Sequence, residues 1–107
     1  MPDFASIDMR VGTVVKAEPF PEARKPAIKL HIDFGPELGV KRSSAQLTMH
    51  YKPEDLVGRQ VVAAVNLGTR RIATFDSEVL VLGAMPQPTE VVLLHIDHAV
   101  PNGTRIG

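Results

Sequence analysis

The sequence has no cysteine and no tryptophan, and only one tyrosine among its 107 residues. Without cysteine, a disulfide framework, a thiolate zinc site and a cysteine nucleophile are excluded, and a cytoplasmic location is expected. No run approaches the ~20 apolar residues that a membrane-spanning helix requires, so membrane insertion is not expected. Residues 1–4 lack a basic stretch followed by an apolar one, so no signal peptide is expected there.

An excess of charge of one sign is also missing, since 12 basic side chains balance 12 acidic ones. A protein that mainly binds phosphate usually has a strong basic excess. The distribution is uneven, however: residues 1–75 carry 11 basic and 8 acidic side chains, and residues 76–107 carry one basic and four acidic ones. Nucleic-acid contact on one face is therefore permitted but not required.

The hydrophobic content of 44% and charged content of 22% are typical of a folded globular protein. A chain of 107 residues is long enough for one core and too short for two. We therefore expect residues 1–107 to form a single domain.

Short segments that alternate apolar and polar residues dominate the chain and predict half-buried β-strands. In the clearest, residues 28–34, four apolar side chains share one face, and Gly35-Pro36 ends the strand. Gly12, inside another of these strands, predicts a bulge or a sharp bend. The predicted strands span residues 10–16, 28–34, 40–48, 61–67, 79–82 and 91–96.

Helix signals are sparse, and the clearest lies in residues 52–58, where a proline begins, acidic residues follow and a glycine ends one short helix. This helix lies between the third and fourth predicted strands. An all-β fold is therefore predicted, a five-stranded OB-fold barrel with one short helix at that place.

Two predicted strands, 61–67 and 79–82, are apolar on both faces. A barrel has only one interior, so the outward residues need another cover. We expect terminal segments added to the barrel to form the interface of a symmetric homodimer. The alternative is that the C-terminal segment of the same chain covers them.

Sequence patterns for metal binding and catalysis are weak. His95 and His98 lie three residues apart, which in a strand places them on opposite faces, so no metal site is predicted. Ser43, Ser44 and nearby bases such as His31 could suggest a hydrolase, but no nucleophile elbow or phosphate-binding glycine loop is present. We predict a binding protein that is not an enzyme and needs no cofactor.

The polar face of the second and third strands offers a binding surface, because ligands of OB-folds cross these strands. The loop after the fourth strand would add a basic wall. Aromatic residues for stacking bases are few: Phe34 is expected to point inward, and Phe4, Phe20 and Phe75 fall in or beside loops. An extended peptide is a second possible ligand. The predicted surface comprises Lys29, His31, Asp33, Arg42, Ser44, Gln46, Thr48, Arg70 and Arg71.

Several strings of residues, taken together, form a specific combination that covers essentially the whole chain. They are Asp8-Met9-Arg10-Val11-Gly12-Thr13-Val14-Val15, Lys25-Pro26-Ala27-Ile28-Lys29-Leu30, Arg42-Ser43-Ser44-Ala45-Gln46, Leu56-Val57-Gly58-Arg59-Gln60-Val61-Val62, Asn66-Leu67, Arg70-Arg71-Ile72-Ala73, Phe75 and Ser77-Glu78-Val79-Leu80-Val81-Leu82-Gly83. This combination resembles the EMAP II-like tRNA-binding domain family, and within it the branch of export-related chaperones of the CsaA type.

The resemblance implies a homodimer of OB-fold subunits that binds unfolded export precursors and the translocation ATPase SecA. It implies as the alternative a protein that binds tRNA through the same groove. Five residues match positions that line this groove in the family: Ser43, Asn66, Arg70, Arg71 and Ser77. With Lys29, His31, Arg42, Ser44 and Gln46 they form the predicted binding site.

The sequence departs from the tRNA-binding members at three places. Residues 20–24 read Phe-Pro-Glu-Ala-Arg where those members have His-Pro-x-Ala-Asp, and residues 68–71 read Gly-Thr-Arg-Arg where they have Lys-Pro-x-Lys. Leu80 stands where they have methionine. These changes argue against strong tRNA binding. The chaperone branch usually has glycine where Thr74 stands, and threonine would be a poor occupant if that position requires a positive φ.

Overall fold

The computed structural model describes residues 6–107, and Phe4 lies outside this range. Nine strands and two one-turn helices follow one another along the described chain. In chain order they are β1 (Met9–Pro19), β2 (Ile28–Asp33), α1 (Gly35–Leu38), β3 (Val40–Ala45), α2 (Pro53–Leu56), β4 (Gln60–Ala64), β5 (Arg70–Ile72), β6 (Phe75–Ser77), β7 (Leu80–Val81), β8 (Gly83–Gln87) and β9 (Glu90–Leu93). None of the described helices is long and apolar enough to cross a membrane.

Five of the strands form one antiparallel sheet in the order β3-β2-β1-β4-β7, which curls into a nearly closed barrel. The barrel closes where the carbonyl of Arg42 on β3 accepts hydrogen bonds from the backbone N–H groups of Glu78 (2.7 Å) and Val79 (3.3 Å). Helix α2 lies between β3 and β4, as predicted. The expected OB-fold architecture is confirmed.

The alternation of apolar and polar residues in β2 places its apolar side chains inside the barrel. Ile28, Leu30 and Ile32 are almost fully buried, and Phe34 follows them on the same face. Together with residues from the other strands they form the main core. Its members are Val14, Ile28, Leu30, Ile32, Phe34, Leu47, Leu56, Val61, Ala63, Val79, Val81 and Leu93.

The irregularity predicted at Gly12 lies elsewhere. The register between β1 and β2 shifts between Val14 and Lys16, so Val15 is the extra residue of a β-bulge. Gly12 instead permits close packing, because a Cβ atom there would lie 2.6 Å from Ile32 Cγ2 and 2.7 Å from Phe34 Cδ1.

Several strands and turns differ from the predicted boundaries. The predicted strands 40–48, 61–67 and 91–96 end earlier, at Ala45, Ala64 and Leu93. The one-turn helix α1, the hairpin β5–β6 and strand β8 were not predicted, since three to five residues are too few to show a period. His95 and His98 therefore follow the last strand and do not lie on opposite faces of it.

The C-terminal segment completes the sheet along the first half of β1. The N–H of Val11 donates to the carbonyl of Thr104 (2.9 Å), the N–H of Gly103 donates to the carbonyl of Val11 (2.7 Å), and the N–H of Ile106 donates to the carbonyl of Met9 (2.9 Å). Strand β4 is buried on both faces within this single chain. Its apolar outer face therefore needs no second copy, whereas Leu80 on β7 remains 51% exposed.

Candidate binding groove

A groove of about 820 Å³ opens beside the seam of the barrel, where β3 ends and β7 leads into β8. Loops and short strands from five parts of the chain form its walls. We call it the seam groove; the residues that line it are Glu22, Ala23, Arg24, Lys25, Ala27, Ser44, Ala45, Gln46, Leu47, Arg70, Arg71, Ile72, Ala73, Leu80, Val81, Leu82, Gly83, Met85 and Val91.

The interior of the seam groove is mainly apolar. Leu47 and Val81 belong to the main core and reach the groove from below. Leu80 and Met85 are 51% and 59% exposed, so a ligand would remove much apolar surface from water. Methionine adapts its shape to different partners. The interior is therefore suited to apolar groups of varied shape.

The rim of the seam groove is basic. Arg24, Lys25, Arg70 and Arg71 line it together with a single acidic residue, Glu22. Arg71 pairs with Asp76, with 3.0 Å between the guanidinium Nη1 and the carboxylate Oδ1. Within residues 6–107, no ion-pair partner is found for the other three cations. The groove therefore presents a net positive charge to a ligand.

The hairpin β5–β6, which carries Arg70 and Arg71, is held against β3 by polar contacts. The hydroxyl of Ser77 accepts a hydrogen bond from the N–H of Ser44 (3.0 Å). The carboxylate of Glu78 accepts one from the N–H of Arg42 (3.0 Å), and the Arg42 guanidinium lies 3.4 Å from the same oxygen. Ser77 and Arg42 thus position the wall of the groove without lining it.

Phe20 and Phe75 form a second, smaller cluster together with Ala27. Their rings are 5.5 Å apart between centroids and meet edge to face. The ammonium of Lys29 lies 5.3 Å and 5.7 Å from the two centroids, and the guanidinium of Arg42 lies 5.6 Å from that of Phe75. Because the rings are buried beneath these cations, their faces are not free to stack on nucleic-acid bases.

His31 lies beside the same small cluster, with its ring 6.3 Å from that of Phe75. Its Nδ1 is buried and makes no hydrogen bond among the described residues. Burial is the main cause that lowers the pKa of His31, and the nearby cations Lys16, Arg42 and Lys29 lower it further, against an opposing effect of Glu18. The ring is therefore kept neutral over a wider range of pH than an exposed histidine.

Four of the ten predicted site residues line the seam groove: Ser44, Gln46, Arg70 and Arg71. Lys29, His31 and Arg42 lie together near Phe75, and Ser77 holds the hairpin. Ser43 is fully buried. Asn66 ties down the start of the described chain, accepting from the N–H of Asp8 (2.9 Å) and donating to the carbonyl of Ser6 (2.7 Å).

Arg24 and Lys25 were missed in the sequence analysis of the site. They lie in the turn between β1 and β2, where no periodicity identifies a face. The departure from the His-Pro-x-Ala-Asp pattern was the available signal: it places arginine where tRNA-binding relatives carry an acid. Arginine in place of an acid at position 24 makes the groove more positive.

No group of three or more His, Asp or Glu side chains that could hold a metal ion occurs among residues 6–107. His50 and Glu90 form a close pair, with 2.6 Å between Nε2 and Oε2, and this hydrogen bond lowers the pKa of Glu90. The pair joins the loop after β3 to the hairpin β8–β9, which contributes Gly83, Met85 and Val91 to the groove. Its position therefore indicates a structural role.

The sequence profile described as "Putative tRNA binding domain" matches residues 9–105, nearly the whole chain. The chain belongs to this tRNA-binding domain family. Among curated proteins, the methionine–tRNA ligase of Methanocaldococcus jannaschii is 36% identical over 100 residues, which are 94% of this chain. The chain spans only about 15% of the length of that ligase.

Two solved structures are similar to this tRNA-binding domain along its whole length. The chaperone CsaA of Bacillus anthracis is 58% identical, with a TM-score of 0.93 over 98% of this chain and 94% of that one. The CsaA chaperone protein of Picrophilus torridus is 46% identical, with a TM-score of 0.89 over 98% of this chain and 95% of that one. The resemblance to the CsaA branch is confirmed.

Proposed function

We propose that this protein is a non-catalytic chaperone of the CsaA type that binds unfolded segments of export-bound proteins in the seam groove. The observation that carries the proposal is the combination of an apolar interior with a basic rim in one groove of about 820 Å³. Its expected location is the cytoplasm. Its expected partners are unfolded precursors, the ATPase SecA and a second copy of the chain.

The groove offers what reversible binding of unfolded chains requires. Burying apolar side chains stabilises a complex by about 25 cal/mol per Å², and Leu80 and Met85 supply exposed apolar surface. Ser44 and Gln46 can hydrogen-bond a peptide backbone, which carries no sequence information. A protein that binds unfolded chains in this way competes with their aggregation and needs no ATP.

The comparisons favour this proposal over an enzymatic one. Two of the structural relatives that match along nearly their whole length are CsaA chaperones. The ligases match over only about 15% of their length, so nothing in this chain corresponds to the remainder of those proteins.

Binding of tRNA through the same groove is the second candidate. Arg24, Lys25 and Arg70 are free of acidic partners within residues 6–107, and such cations can contact phosphate. The two functions differ in their response to salt. Phosphate binding weakens steeply with added salt because counterions are released, whereas apolar binding changes little or strengthens in sulfate.

The deciding experiment is fluorescence anisotropy of a labelled unfolded precursor segment, with unlabelled tRNA as competitor at physiological salt. We expect peptide binding that persists when tRNA and salt are added. Absence of peptide binding, together with salt-sensitive affinity for tRNA, would replace the chaperone proposal by RNA binding.

A double substitution separates the two ligands further. Arg70→Ala with Arg71→Ala should abolish tRNA binding and reduce peptide affinity only several-fold, because the apolar interior remains. Lys52→Ala with Arg105→Ala is the matched control, since it removes two exposed cations that do not line the groove. Loss of peptide binding with retention of tRNA binding in the first variant would contradict this assignment.

The homodimer rests on apolar surface that the single chain leaves exposed outside the seam groove. Val92 on β9 and Leu94 just after it are 40% and 44% exposed. A mass from light scattering tests the assembly. We expect twice the chain mass of 11.6 kDa, and a stable monomer would refute the dimer.

A further inference from the structure

We propose that the seam groove binds its ligand as an extended strand added to the free end of β3, and that it prefers segments in which acidic and apolar residues alternate. This inference rests on the proposed peptide-binding function and specifies the chemistry of the peptide.

On β3, the backbone N–H and C=O groups of every second residue point toward the seam. The carbonyl of Arg42 accepts from Glu78 and Val79, and the N–H of Ser44 donates to the Ser77 hydroxyl. These contacts show that Arg42 and Ser44 direct their polar groups away from β2, and residues two apart on a strand share that direction. The carbonyl of Ser44 and the N–H of Gln46 therefore face the groove.

These two groups are open to a ligand. The contact of the Ser44 carbonyl is a long one, 3.5 Å from the Ser43 hydroxyl. Within the described chain, the N–H of Gln46 has no hydrogen-bond partner. Exposed edge groups of a sheet are the usual anchor for an extended peptide. A bound strand would thus continue the sheet where β3 and β7 separate.

The two sides of such a strand would meet different surroundings. Successive side chains of a strand point to opposite faces, here toward the apolar interior formed by Leu80, Val81 and Met85 or toward the rim. The rim carries four cations and one acid. Charge complementarity therefore favours acidic residues at the rim positions and disfavours basic ones. The basic n-region of a secretory signal is a poor match.

The charge preference is tested with three labelled ten-residue peptides that share the same apolar residues at odd positions. The even positions carry Glu, Gln or Lys. We expect the Glu peptide to bind about tenfold more tightly than the Lys peptide, with the Gln peptide between them. Equal or tighter binding of the Lys peptide would overturn this inference and leave the chaperone proposal intact. Failure of all three peptides, and of an unfolded precursor segment, would refute the chaperone proposal itself.

The strand-addition geometry is tested by removing single N–H groups. Gln46 is the centre of a tight turn in which the N–H of Leu47 donates to the carbonyl of Ala45 (2.9 Å). Its φ is not positive, so the turn is an inverse γ-turn, whose φ is close to that of proline. Gln46→Pro should therefore fold.

We compare Gln46→Pro with Gln46→Ala, because both lack the amide side chain and only the proline variant lacks the N–H. The proline variant should bind the Glu peptide about tenfold more weakly than the alanine variant. A second test uses the unaltered protein and two forms of the Glu peptide, one N-methylated at its odd residues and the other at its even residues. Only one of the two forms should lose binding, because only every second N–H of an added strand bonds to β3. Equal affinity of both N-methylated forms and the parent peptide would overturn strand addition, whatever the fold of the variants.

Discussion

The molecule contains two apolar clusters of different kinds. The main core includes side chains that are entirely shielded from water, such as Leu30 and Ile32, and the strands of the barrel surround it. The small cluster of Phe20, Ala27 and Phe75 retains 4–8% exposure and lies beneath Lys29 and Arg42. One cluster supports the barrel, whereas the other supports the wall of a groove.

The difference shows how a small barrel can separate stability from binding. Regions with few buried apolar contacts open locally at lower free energy than the core. The hairpin β5–β6 rests on the small cluster and on a few polar contacts to β3. We therefore expect the hairpin to open at a lower free-energy cost than the barrel. Four predictions sharpen this division.

The largest effect is expected in the main core. Leu30→Ala should destabilise the protein by about 3 kcal/mol, because it removes buried apolar area and leaves a cavity. Leu67→Ala is the matched control: this leucine is 55% exposed, and its loss should change stability by less than about 0.5 kcal/mol. Urea denaturation measures both. Similar losses in the two variants would show that the main core is not the source of stability.

A smaller effect on stability, and a larger one on binding, is expected in the small cluster. Phe75→Ala should lower the free energy of unfolding by about 2 kcal/mol, which is less than the usual loss for a fully enclosed phenylalanine. Because Arg70 and Arg71 lie on the same hairpin, peptide affinity should also fall. Phe75→Leu keeps most of the apolar volume, so it should retain most of the stability and most of the peptide affinity. If Phe75→Ala destabilises as much as Leu30→Ala and leaves binding unchanged, the division between the clusters fails.

The turn of the hairpin contains local strain. Ala73 has a φ of 54°, the one positive φ of a non-glycine residue in the described chain, and an L-residue pays roughly 1 kcal/mol there. Ala73→Gly should therefore raise the free energy of unfolding by about 0.5–1 kcal/mol. Thr74→Gly is the control and should lower it, because the φ of Thr74 is not positive. The reverse order in thermal denaturation would contradict this account.

The smallest effect concerns pH. The folded state holds the pKa of His31 below its unfolded value, so the unfolded chain binds more protons between the two values and stability falls as pH falls through that window. His31→Gln should remove this part of the loss between pH 7.5 and pH 5. An NMR titration of the His31 ring with a midpoint at or above about 6.5 would contradict the prediction.

The sequence predicted the barrel where a periodic signal exists. The alternation of residues 28–34 identified the inward face correctly, and proline and glycine delimited α2. Phe20 and Phe75 are 55 positions apart in turns and short strands, so nothing local shows that they meet. In the same way, nothing local in the sequence shows that Arg24, Lys25 and Arg70 line one groove. The sequence offered candidate site residues, but which of them line one groove depends on tertiary contacts.

The pairing of the C-terminal segment with β1 has a consequence for folding during synthesis. Backbone bonds join Met9 to Ile106 and Val11 to Thr104, so the sheet joins residues that are translated first and last within the domain. Such long-range contacts slow folding. The edge of β1 that pairs with the C-terminal segment stays unpaired until residue 106 has left the ribosome. A nascent chain of this protein would itself expose an apolar, unpaired strand during that interval, and would be a client for the help that we propose the finished molecule gives to others.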